Sequence, residues 1–341
     1  MTKRERVSAA LRHKETDYIP YDVGFTQPAW AKMAEFYNDN DFVDKIGNHV
    51  TGIYYSGGEN PVPGKPGYYQ DDFGVVWNRT VDKDIGVIEG LCIPTPDISA
   101  LAKYRFPQVP EAMLRQQCEE SIAMAGDRFR CANLGFSLFE RAWTLCGMEN
   151  LLIYMVTEPD FVTELFRAIT DFNLQVIDIF LDYDFDAVYF GDDWGQQRGL
   201  IMGPDLWRKF VKPSLTKMYG LVKDKNRFVA QHSCGDISEI FPDVIEAGLD
   251  AYQTFQPEIY DIRTTKAQYG HHLSFWGGIS TQRLLPFESP NSLIKKAAEI
   301  MQIVGKNGGL IAGPTHAIPG DVPPENIDAM IKLFQNQDQY L

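Results

Sequence analysis

The sequence has no apolar run approaching the ~18 residues of a membrane span, which argues against a membrane-spanning protein. Its start, Met1-Thr2-Lys3-Arg4-Glu5-Arg6-Val7, is charged and shows no apolar stretch followed by a small-residue cleavage site, so no secretory signal is expected. Cysteine is scarce and irregularly spaced. Five residues cannot all pair, nothing suggests a disulfide framework, and a reducing cytoplasm is the expected compartment. Positive charge is short too: 32 Lys and Arg stand against 46 Asp and Glu, a formal net charge of −14 that repels nucleic acid and anionic membrane surfaces. No Gly-x-x-x-x-Gly-Lys phosphate loop and no Gly-x-Ser-x-Gly nucleophile elbow is present, so kinase, ATPase and serine-hydrolase chemistry has no carrier.

What is there fits one ordinary globular enzyme of 341 residues, 44% hydrophobic and 23% charged. Apolar β-branched or aromatic runs alternate with helical patterns, which predicts parallel βαβ units and a single-domain TIM (β/α)8 barrel over residues 1–341. Strands are expected at 19–24, 129–135, 187–193, 227–235, 251–255, 272–279 and 309–316. A short helix in an N-terminal extension precedes them, and an irregular hairpin insertion is expected around 64–79. Long helical spacing runs through 148–183 with breaks, and a helix is expected over 236–247. A doubly wound open sheet is the alternative, but no Gly-x-Gly-x-x-Gly turn follows the first strand.

The predicted strands end in Gly, Asp, His, Cys or Gln, at the end where such a barrel places its chemistry. The sharpest signal is Gln231-His232-Ser233-Cys234-Gly235-Asp236. Side chains on a strand repeat every second residue, so His232 and Cys234 point the same way and offer half of a zinc site. A packed free cysteine beside a hydrogen-bonded histidine is the plainer alternative. His316 follows the last strand, an arc of roughly 14 Å away at three strand steps of about 4.8 Å. His232, Cys234 and His316 would together supply the three protein ligands of a catalytic zinc with one position open. Of the adjacent Asp192 and Asp193 only one can face the mouth, and Asp193 is the candidate to orient a histidine, carry a proton or ligate the metal. Gln231, Trp194, Gln197, Gln253 and Trp276 are the candidate substrate contacts, with core packing open for the two tryptophans. His271 and His272 precede a strand, at the opposite face, and read as structural.

Several segments, in order, resemble the uroporphyrinogen decarboxylase superfamily. They are Arg6-Val7-Ser8-Ala9-Ala10-Leu11-Arg12-His13, Asp72-Phe73-Gly74-Val75-Val76-Trp77, Gly191-Asp192-Asp193-Trp194-Gly195, His232-Ser233-Cys234-Gly235-Asp236, Phe275-Trp276-Gly277-Gly278-Ile279 and the run from His316 to Asn326. The resemblance covers nearly the whole chain and implies a TIM barrel with its site at the C-terminal mouth. Members that decarboxylate porphyrinogens carry an arginine-rich segment after the first strand. Here that place reads Tyr21-Asp22-Val23-Gly24-Phe25-Thr26-Gln27-Pro28, without an arginine to meet the substrate carboxylates. The corrinoid-dependent methyltransferase branch instead holds zinc with a His-x-Cys pair and a distant cysteine. His232 and Cys234 match the pair, no cysteine follows Cys234, and His316 stands at about the place of the third ligand.

The resemblance implies a methyltransferase acting between a small methyl donor or acceptor and a corrinoid (cobalamin), carried on a partner protein, with zinc as Lewis acid. Relatives often pair as dimers, so the resemblance also implies a homodimer as one expected assembly. Two readings stay open beside it: a metal-independent decarboxylase or lyase on a small acid, with Asp193 and His316 as proton donors, and a non-catalytic module that docks on a corrinoid protein.

Overall fold

The computed structural model describes residues 1–81 and 86–341. Seven strands form one parallel sheet in chain order: β1 (Val50–Tyr55), β2 (Phe129–Leu134), β3 (Ala187–Gly191), β4 (Phe228–His232), β5 (Ala251–Phe255), β6 (Ser274–Ile279) and β7 (Leu310–Pro314). The expected first strand is the segment that closes the ring. Tyr21 bridges Ala312 of β7 in parallel, with Asp22 N donating to Ala312 O at 2.9 Å and Ala312 N to Pro20 O at 2.8 Å. On its other side, Tyr21 O accepts from His49 N at 2.9 Å, one residue before β1. The result is the TIM barrel.

Strands β5, β6 and β7 are buried throughout, as a parallel sheet wrapped in helices requires, whereas Gly52 and Tyr54 of β1 stay exposed. In β3 and β4 the outward Val188, Phe190 and Val229 join the helix-facing core, while Ala187, Ala230 and Ala251 of β5 pack inside the barrel. Small inward residues leave room for the larger Phe129 and Trp276 and for Val7 and Leu11 of the N-terminal helix Lys3–Leu11, which plugs that end. A capping box starts this helix. Thr2 accepts from Glu5 N at 3.1 Å and Thr2 N donates to Glu5 Oε2 at 2.9 Å, an arrangement that contributes about 1 kcal/mol. With one end filled, the chemistry is left to the other.

The insertion after β1 is wider than the hairpin expected at 64–79. It is an antiparallel meander of Glu59–Pro61, Tyr68–Asp71, Val76–Asn78 and Val87–Ile88. Arg141 anchors it, with Nη1 2.7 Å from Asp71 Oδ2, Nη2 donating to Ser56 O at 2.6 Å and its guanidinium 4.0 Å from the Phe73 ring centre. The helical stretch expected over 148–183 is two helices, Met148–Thr157 and Pro159–Leu181, parted at Glu158 because a proline opens the second. The helix expected over 236–247 shortens to a 3-10 turn, Ser238–Ile240, and Phe241–Glu246. Among the described residues no helix is long and apolar enough to cross a membrane.

Candidate active site at the barrel mouth

The alternation of β4 decides which of its side chains reach the mouth. Phe228, Ala230 and His232 turn inward, and Val229 and Gln231 turn to the helices. Gln231, expected to contact substrate, is therefore fully buried on the wrong face; its Oε1 accepts from Tyr219 OH at 2.5 Å. Trp194, also expected to contact substrate, lines neither cavity at the mouth. It is fully buried, donates from Nε1 to Asp192 Oδ2 at 2.6 Å and packs edge-on against Trp207 at 5.4 Å. Gln197 is exposed in the turn of a small hairpin, Gly195–Gln196 with Gly199–Leu200, away from the cavities that open at the mouth.

Past β4, the chain turns sharply at Gly235, whose backbone lies so close to Gly195 that a Cβ would stand 2.2 Å from Gly195 C. This crossing keeps Cys234 beside His232. His232 Nε2 lies 3.7 Å from Cys234 Sγ, and its ring centre is 5.5 Å from that of His316. Ligating atoms of all three residues lie within 4.8 Å of one another. A tetrahedral zinc with Zn–N of about 2.05 Å and Zn–S of about 2.3 Å needs an N···S edge of roughly 3.6 Å, so the residues present fit the ion.

Gln253, at the end of β5, serves this cluster. Its Nε2 donates to Thr315 O at 3.2 Å, which fixes the amide orientation because a carbonyl only accepts. Its Oε1 then accepts from Tyr189 OH at 2.8 Å and faces His232 Nδ1. A proton is thereby held on Nδ1, so that in the neutral form of His232 the Nε2 lone pair is aimed at Cys234 and His316. Asp193 completes the constellation: its Oδ1 accepts from Cys234 N at 2.8 Å and lies 3.4 Å from His232 Nε2. Its neighbour Asp192 is buried and caps the helix Phe139–Cys146, accepting from Phe139 N at 2.9 Å and Glu140 N at 2.8 Å.

Electrostatically the metal-free cluster shares charge. Burial disfavours an imidazolium at His232, yet Tyr189, Asp193 and Cys234 outweigh it and raise its pKa. Burial also pushes the Asp193 carboxyl up, but His232 and Cys234 N hold it below the usual range. The Cys234 thiol is raised, chiefly by burial, and His316 is lowered, by burial and then by the charge on His232. A bound divalent cation would invert this order and deprotonate the thiol outright.

Two cavities meet at the cluster and share Tyr189 and His316. One, of about 310 Å³, lies within the barrel and is lined by Asp22, Asn133, Cys131, Gln253 and Trp276. The other, of about 490 Å³, opens under the meander and is lined by Tyr54, Trp77, Glu140, Asp193 and His232. Trp276 walls the inner chamber, its ring set edge-on to Tyr189 at 5.5 Å. Tyr189, Asp22 and Glu140 are not among the residues that the sequence pattern marks. Tyr189 was legible by counting back two and four residues from Asp193. Asp22 was the inward position of the first strand. Glu140, whose carboxyl burial and then Asp193 push up to about 8, carries no local signal.

A family model described as uroporphyrinogen decarboxylase (URO-D) matches residues 135–337, which include His232, Cys234 and His316. A methylated-thiol–coenzyme M methyltransferase from Methanosarcina mazei is 23% identical over 195 residues, 57% of this chain and 50% of that protein, so the chain spans about half the length of this curated relative. A solved methyltransferase from Methanosarcina mazei shares the fold, with a TM-score of 0.70 at 16% identity and 99% of both chains covered.

Proposed function

Because the chain belongs to the uroporphyrinogen decarboxylase family, and its mouth gathers a His232, Cys234 and His316 triad, we propose that it is a cytoplasmic, zinc-assisted methyltransferase working between a small methylated substrate and a corrinoid on a partner protein. The relative named a methylated-thiol–coenzyme M methyltransferase supports this reading. The observation that carries it is the convergence of three ligating atoms within 4.8 Å, drawn from strand ends on opposite sides of the barrel.

In the transfer, the bond between the methyl carbon and its heteroatom breaks, the pair stays on the heteroatom, and the acceptor supplies the pair for the new bond. Bound zinc supplies a Lewis acid for the heteroatom and a corrinoid the nucleophile that takes the methyl group. The protein's own share is placement. Gln253 fixes the His232 tautomer, Asp193 fixes the Cys234 backbone and offers negative charge beside it, and Trp276 and Tyr189 shape a confined chamber next to the reacting atoms. The meander roofs the mouth through Trp77 and Glu59. Porphyrinogen decarboxylation finds no support here, since the closing segment presents Asp22 where a polycarboxylate would need cations.

Metal analysis of the purified protein tests the reading. One zinc per chain is expected, lost in both His232→Ala and Cys234→Ala with circular dichroism unchanged. Stoichiometric zinc that survives both substitutions would overturn the ligand assignment.

A further inference from the structure

The inner chamber has a charge character that the zinc triad does not explain. Along the closing segment Tyr21 and Val23 turn outward and are buried, which sends Asp22 and Gly24 into the barrel. Asp22 lines the chamber together with His316, while among the described residues neither Lys nor Arg does so. Among the described residues its carboxylate has no side-chain partner. The Val23 N–H beside it donates to Asn48 Oδ1 at 3.1 Å, and the charge that acts on it is that of Arg128, whose guanidinium is engaged by Ala125 O and Met124 O at 3.0 and 2.7 Å.

The rest of the lining is built of acceptors and ring faces. Asn133 Nδ2 is used by Ile53 O at 2.6 Å, which leaves its Oδ1 as an acceptor. Tyr189 spends its hydroxyl proton on Gln253 and keeps its lone pairs, and its ring meets Trp276 at 70° to make two π walls. A carboxylate without a counter-ion, an amide oxygen and two aromatic rings in about 310 Å³ recognise a small organic cation.

We propose that the chamber holds the cationic end of the substrate: a small ammonium compound that carries its methylated sulfur or oxygen at the other end, with Asp22 as counter-charge and Tyr189 and Trp276 as walls. The orientation, methyl end toward His232, Cys234 and His316, rests on the methyltransferase reading; the charge preference does not. Burial pushes the free Asp22 carboxyl up to about 7, and an ammonium beside it reverses that cost. The titratable groups facing it stay neutral near that pH: burial raises the Cys131 thiol and the Tyr189 phenol and lowers His316.

Isothermal titration of the zinc-loaded protein with three probes tests this: 2-(methylthio)ethylamine, its neutral isostere methyl propyl sulfide, and the anion 3-(methylthio)propionate. The amine is expected to bind at least about tenfold tighter than the sulfide, as a charge-assisted contact allows, with the anion weakest. Its affinity should rise from about pH 6 to about pH 8 as Asp22 ionises, then level off. Asp22→Asn should erase the amine's advantage. It should also melt no lower than wild type above pH 7, because the buried ionised carboxylate it removes is itself destabilising. The His232→Ala protein separates the two readings: amine preference retained there supports the chamber assignment whatever becomes of the zinc. Equal binding of amine and sulfide to wild type, or an amine preference that survives Asp22→Asn, would overturn the inference.

Discussion

Replacing Gln253 by leucine isolates the claim that a residue outside the triad sets its metal affinity. Gln253 joins three groups at once, the Thr315 carbonyl at 3.2 Å, the Tyr189 hydroxyl at 2.8 Å and His232 Nδ1. Leucine fills similar space and satisfies none of them. Two costs follow, and they differ in where they are felt. In the metal-free protein, stranding Thr315 O and the Tyr189 hydroxyl costs about 1–3 kcal/mol each at most, less where chamber water reaches them. For the metal, loss of the acceptor at Nδ1 frees the imidazole to rotate and to place its proton on Nε2, the atom meant to ligate. Removal of such a partner typically weakens binding 10–100-fold, about 1.4–2.7 kcal/mol.

The assay is competition for zinc against a fluorescent chelator near neutral pH, run beside thermal melting for wild type, Gln253→Leu and Gln253→Glu. The leucine variant should lose zinc affinity by at least about tenfold. Glutamate keeps an acceptor opposite Nδ1 and should stay within about threefold of wild type, at some cost in stability where its carboxylate faces Thr315 O. A merely structural role predicts the reverse pattern, a lowered melting temperature with zinc affinity within about twofold of wild type in Gln253→Leu, and that result would refute the positioning argument.

Two further substitutions probe the scaffold. Gly235→Ala should destabilise the fold by roughly 2–4 kcal/mol and release zinc, because φ is +78° there and the added Cβ meets backbone at 2.2 Å; chemical denaturation and metal content read both effects, and an unchanged midpoint would contradict the crossing of the two loops. Arg141→Met strands Asp71, whose side chain is 3% exposed, and should cost about 3–5 kcal/mol in the same measurement, with Asp71→Asn in the double variant recovering part of it. A loss under about 1 kcal/mol would mean that the meander is anchored elsewhere.

Much of the barrel was legible because its strands are continuous apolar runs ended by turn and acid residues. The strand Val50–Tyr55 was not: its inward positions Gly52 and Tyr54 stay exposed at the cavities, so they carry no packed apolar pattern, and at Gly52 a Cβ would fall 1.7 Å from Cys131 O. At the site, the period-2 rule that pairs His232 with Cys234 also sends Gln231 to the opposite face, so that misreading was avoidable. Trp194 was not open to the same logic. It lies beyond the strand end, held at its backbone N by Ser233 Oγ, 2.9 Å away and 39 residues on, and long-range contacts of that kind leave no periodic trace. The orienting task of Gln253 was invisible for the same reason, since its partners come from β3, β4 and the residue after β7.

The exchange of a distant cysteine for His316 has an electrostatic consequence on the proposed reading. A zinc ion with two thiolates and one imidazole is formally neutral, whereas one thiolate and two imidazoles leave it at +1, a stronger Lewis acid. The protein moderates this with Asp193, whose Oδ1 is 3.4 Å from His232 Nε2 but is committed to Cys234 N at 2.8 Å. A bound ion would then lie near a carboxylate that is not needed as its ligand, which would leave the fourth position free for a heteroatom. A cationic substrate head beside a +1 centre would be repelled if both lay at the same point. Asp22, on the chamber wall formed by the closing segment, supplies the opposite charge at a separate position. Charge is thus divided along the cavity, with acceptors where the substrate's cation would rest and the positive centre where its lone pair would point.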